Sequence, residues 1–78
     1  MTSLADIKAQ GRCIVTATAT DSRELQSRLY ALGLYPGVEV TVLRFAPVGD
    51  PMQIRIGGTL LSIRKSEARH VTVEEHHG

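Results

Sequence analysis

From Cys13 to Thr20 apolar residues alternate with threonine, the period-two pattern of a half-buried strand rich in β-branched residues. The period then changes. Leu25, Leu29 and Leu32 fall at i, i+4 and i+7, one apolar stripe of a helix. Asp21 and Glu24 have the spacing of a capping box that would open that helix. Gly33 stands where a left-handed residue ends a helix, and Leu34 follows as the apolar residue of a Schellman ending. Pro36-Gly37 then suits the central pair of a type II turn, because proline fixes φ and glycine accepts a positive one.

Beyond the turn the period of two returns. Val38, Val40 and Val42 face one way, and Glu39, Thr41, Leu43 and Phe45 the other. Pro47, Gly49, Asp50 and Pro51 form a loop before a strand in which Met52, Ile54 and Ile56 oppose Gln53 and Arg55. Gly57-Gly58 reads as a type I′ hairpin turn, which requires positive φ at both central positions. That turn sets Ile56 opposite Thr59, Arg55 opposite Leu60, Ile54 opposite Leu61, Gln53 opposite Ser62 and Met52 opposite Ile63. The inward pairs are then apolar but for Thr59 beside the turn, the outward ones are mostly polar, and a slip of one residue would destroy the match.

Shorter elements complete the chain. Ser3 to Ile7 forms a helical turn ended by Gly11, Ser66 to Arg69 a second turn, and Val71 to Val73 a closing strand. Glu74, Glu75, His76, His77 and Gly78 contain no apolar member and read as a flexible tail after a single domain over residues 1–73. The expected fold class is mainly β: a small SH3-like barrel of about five strands. One α-helix lies between strands 1 and 2, and a short helical turn precedes the last strand.

At 78 residues the chain holds one small core and little room for a catalytic cleft. Nine Lys/Arg against eight Asp/Glu leave a net charge of +1, without the basic excess of a dedicated nucleic-acid binder. A single cysteine, Cys13, cannot close an internal disulfide, which favours a reducing compartment. The amino terminus lacks the pattern of a signal peptide and no run of eighteen apolar residues occurs, so a cytoplasmic protein is expected.

The segment Arg28-Leu29-Tyr30-Ala31-Leu32-Gly33-Leu34-Tyr35-Pro36-Gly37 resembles the helix-and-turn signature of the ferrous iron transport protein A family, FeoA. The resemblance continues through Val38 to Val42, the loop Pro47 to Pro51, the Gly57-Gly58 hairpin, Leu61 to Ala68 and Val71 to Val73. It implies an SH3-like cytoplasmic accessory protein that binds the ferrous iron permease, a transporter with a soluble GTPase domain. The same domain type ends some iron-dependent repressors. No winged-helix sequence precedes it here, so the transport accessory is the expected role.

Candidate residues fall into three classes. Arg28, Leu34, Tyr35, Leu43 and Leu60 are the candidate partner contacts, since Arg and Tyr are common interface anchors and the hairpin register turns Leu60 outward. For metal, no CxxC, HxxxH or HExxH spacing is present, so no dedicated site is expected; His76 and His77 are weak candidates and Cys13 reads as a core residue. No arrangement suggests a catalytic triad or a phosphate-binding loop, so neither an enzyme nor a cofactor is expected. The alternatives are a transition-metal sensor or carrier and a small-barrel nucleic-acid module. The latter would need Arg44, Arg55 and Arg64 in one patch beside exposed aromatics.

Overall fold

Five antiparallel strands carry the alternation: β1 (Arg12–Thr18), β2 (Glu39–Phe45), β3 (Met52–Ile56), β4 (Thr59–Ile63) and β5 (Val71–Glu75). The helix α1 (Arg23–Ala31) links β1 to β2, the short helix α2 (Lys65–Ala68) precedes β5, and a 3-10 turn spans Leu4–Asp6. These elements belong to a computed structural model that describes residues 2–76. The strands form one sheet in the order β4-β3-β2-β1-β5. Neighbouring strands lie about 4.8 Å apart, so a flat sheet of five would make a slab. Extents of 29 × 28 × 26 Å instead require the sheet to curl around its own core.

Leu29 and Leu34 from the helix region meet Val40, Val42, Met52, Ile54 and Ile63 from the sheet, all essentially out of solvent. Leu4 and Ile7 close the core from the N-terminal side. Each fully buried side chain of this size contributes roughly 1.5–3 kcal/mol. No side-chain polar or charged residue is buried among those described, so the core asks for no internal hydrogen bonding.

The hairpin register between β3 and β4 is the one the sequence dictates, at all five pairs. Its turn differs from expectation. Gly57 has φ 60°, but Gly58 does not take a positive φ, the pattern of a II′ rather than a I′ turn. At the end of α1 the Schellman bonds form as expected: Gly33 N–H donates to the Tyr30 carbonyl and Leu34 N–H to that of Leu29, both at 2.9 Å.

Four expectations are corrected. The N-cap of α1 is Ser22, not Asp21; its side chain accepts from Leu25 N–H, because it stands one residue before the first helical turn. Leu32 leaves the apolar stripe: as the C-cap residue it lies where the chain departs from the helix and is 37% exposed. A bulge between Val42 and Arg44 sets Leu43 and Arg44 against Gln53 alone, which turns Phe45 inward to pack on the core. Finally, β5 runs through Glu74 and Glu75, which pair with Ile14 and Cys13, and His76 N–H donates to the Arg12 carbonyl. Backbone pairing needs no apolar side chain, so the composition of that segment concealed the strand. The remainder of the expected tail, His77 and Gly78, lies outside the described residues.

Candidate partner-binding surfaces

Apart from Val48 in the loop before β3, the large exposed apolar side chains among the described residues fall on two surfaces, each set by a local feature already described. At the end of α1 the Schellman turn reverses the chain, which brings Tyr35 back beside Tyr30. Their ring centroids stand 6.3 Å apart at 58°, a tilted aromatic pair. The rings are 42% and 49% exposed, so the pair is a surface feature rather than an extension of the core. Arg28, on the same helix, is also exposed, but its guanidinium is held 2.9 Å from Glu67 of α2. Leu34 does not join them: it is fully buried under the helix end, which removes it from the partner contacts. The Schellman geometry favours this, because the apolar residue after the glycine commonly folds back onto the helix.

The second surface is the outer side of β2, β3 and β4. The bulge leaves Leu43 half-buried there, and Leu60 lies across the sheet at 66% exposure. They line an open groove of ≈ 240 Å³ with Arg44, Gln53, Leu61 and Ser62. Arg44 Nε donates to Gln53 Oε1 across the floor. The same two residues border an adjoining hollow walled by Phe45, Ala46, Pro47 and Pro51. The loop beside it is anchored at one end, because Asp50 Oδ1 accepts from Lys65 N–H at 2.9 Å and the Lys65 ammonium lies 4.9 Å from the Phe45 ring centre. Asp50 thus serves the start of α2.

Tyr30 was not among the contacts expected from sequence. Only the return of Tyr35 across the Schellman turn shows the two rings as a unit.

Among the described residues no three of His, Cys, Asp and Glu come close enough to hold an ion. His76 is exposed, and His77 falls outside the described residues. Cys13 is buried in the sheet, and burial, with smaller contributions from Glu75 and Glu39, pushes its thiol up to about 11. A thiol so held keeps its proton at neutral pH. No helix among the described residues is long and apolar enough to cross a membrane.

A family model described as the FeoA domain matches residues 2–75. Among solved structures, the FeoA protein of Chlorobium tepidum is 40% identical, with a TM-score of 0.85 over 95% of this chain and 70% of that one. A FeoA-like protein of Clostridium acetobutylicum is 31% identical, with a TM-score of 0.87 over 100% and 96% of the two chains. Stenotrophomonas maltophilia FeoA complexed with zinc is 27% identical, with a TM-score of 0.82 over 95% and 91%. That protein is described as a prokaryotic SH3 domain protein and put forward as a bacterial ferrous iron transport activating factor. The expected SH3-like architecture is therefore the observed one.

Proposed function

Because the chain belongs to the FeoA domain family, we propose that it is an accessory protein of ferrous iron transport. It works by protein–protein contact with the ferrous iron permease, as a peripheral protein on the cytosolic side of the inner membrane. The role put forward for the Stenotrophomonas relative supports the transport half of this reading. The observation that carries the contact half is the exposed Tyr30–Tyr35 pair at the end of α1. Two adjacent aromatic rings left in water lose apolar hydration cost only when a partner covers them. Tyrosines in such positions are frequent centres of binding energy. A Cβ at Gly33 would stand 3.7 Å from Ile56 Cγ2, so the turn that presents the pair passes close to β3. A surface supported in this way loses little conformational entropy on binding.

The experiment is complementation. In cells lacking this gene, ferrous iron uptake should fall and be restored by the wild-type chain, but not by the folded Tyr30→Ala/Tyr35→Ala protein. Full uptake without the gene would remove the transport role. Full restoration by the double variant would remove only the proposed surface.

A further inference from the structure

The two edges of the sheet are treated differently. β5, at one edge, is covered: Ser3 bridges Thr72, and Val73 N–H donates to the Thr2 carbonyl at 2.9 Å. β4, at the other, is bare. In a two-residue hairpin the closing pair, Ile56 with Thr59, exchanges hydrogen bonds, and hydrogen-bonded and non-bonded pairs then alternate along the ladder. Leu60 and Ser62 therefore turn both backbone N–H and C=O away from β3. Among the described residues no other backbone group reaches them.

Exposed edges are normally blunted by a charge, a proline, a bulge or a covering segment. Thr59-Leu60-Leu61-Ser62-Ile63 contains no charge, no proline and no glycine, and its ladder with β3 is unbroken. Beside it lies the groove between Leu43 and Leu60. Basic groups frame that groove: Arg44 lines it, Arg55 stands opposite Leu60, and Arg64 follows the strand. All three are exposed, and the structure records no ion pair of Arg44 or Arg55 among the described residues.

We propose that the β4 edge is a strand-addition site for an extended segment of a partner protein in which acidic and apolar residues alternate. The segment's backbone would pair with Leu60 and Ser62, its carboxylates would meet the arginines on the outer face that Leu60 shares, and its apolar side chains would lie on the opposite face, beside Leu61. Charge decides against a second copy of this chain as the occupant. Antiparallel pairing of β4 with itself gathers two sets of arginines around one seam. A five-residue strand pair also buries far less than the roughly 1,200 Å² of a stable interface. This surface shares no residue with the tyrosine pair at the helix end.

The test uses the isotope-labelled full chain and an acetylated, amidated nonapeptide of alternating glutamate and valine. Titration should shift the Leu60 and Ser62 amide resonances and slow their hydrogen exchange. A valine–lysine peptide should do neither. Ser62→Pro removes an outward donor and should abolish binding, since proline is tolerated on an edge strand. Arg44→Glu/Arg55→Glu leaves the backbone unaltered, and should weaken binding about tenfold or more even if the proline variant misfolds. The proposal is overturned if the Leu60 and Ser62 amides do not respond, or if the lysine peptide binds as well. It is equally overturned if an oligothymidine strand competes for those amides more strongly than the acidic peptide, or if they become protected merely by raising the protein concentration.

Discussion

Arg28 Nη2 lies 2.9 Å from Glu67 Oε2, an ion pair that ties the main helix α1 to the short helix α2. The two partners are unequal. Arg28 keeps most of its side chain in solvent, whereas Glu67 is largely covered and its other oxygen, Oε1, accepts from Arg64 N–H at 3.4 Å. Solvent screening around the arginine holds the pair to about 0.5 kcal/mol. Arg28→Ala should therefore lower stability only slightly, and Glu67→Ala by about 1 kcal/mol, because it also deprives the start of α2 of an acceptor. Urea denaturation of the two single variants and the double variant would measure the coupling. A coupling near zero would mean that the pair contributes no net stability.

The loop before β3 yields a second expectation. Asp50→Ala removes the acceptor of the Lys65 N–H bond and should cost about 1 kcal/mol, while Asp50→Asn keeps an oxygen in place and should recover most of it. Equal losses for alanine and asparagine would assign the effect to the charge rather than to the hydrogen bond.

The hairpin turn discriminates sharply between its two glycines. A side chain at either position would meet open space, so any difference between them comes from the backbone alone. Gly57 has φ 60° and Gly58 does not take the left-handed region. Gly57→Val should lower stability by more than about 1 kcal/mol, and Gly58→Val by clearly less. A denaturation midpoint lowered more by the change at Gly58 would contradict the turn geometry.

Those glycines show what the sequence could and could not disclose. The register of β3 with β4 was legible in full, because a two-residue turn and a strict apolar alternation admit only one pairing. The turn type was not, since Gly-Gly satisfies I′ and II′ alike. The Schellman ending was likewise legible from Gly33 and Leu34, but its consequence was missed: the motif that places Leu34 in the core also swings Tyr35 onto Tyr30. Phe45 was assigned to the wrong face because a bulge adds one residue without altering composition. Of the expected contacts, Arg28 and Tyr35 lie at the helix end, and Leu43 and Leu60 line one groove. The proximity of Leu43 to Leu60 depends on the bulge in β2 and on a curl of the sheet that no local pattern encodes.

Cys13 makes stability depend on pH in the alkaline range. Its thiol is raised from 9.0 to about 11 in the folded chain, chiefly by burial, so the native state holds the proton more tightly than the unfolded state. The sign follows directly: the contribution is intact below pH 9.0 and is lost as the pH climbs through about 11. A shift of this size corresponds to at most about 3 kcal/mol. Denaturation midpoints of the wild type should fall between those two pH values more steeply than those of Cys13→Ala. Parallel curves would show that the thiol does not titrate differently on folding.

In the proposed role the exposed Tyr30–Tyr35 pair docks on the permease. Its most direct test is calorimetric titration of the wild type and of Tyr30→Ala/Tyr35→Ala into the purified cytosolic portion of the permease. Loss of aromatic anchors of this kind costs about 2 kcal/mol or more, a fall of roughly thirty-fold in affinity. That fall is expected in a variant whose melting temperature stays within a few degrees of the wild type, since neither ring belongs to the core. An unchanged affinity in the folded double variant would contradict it.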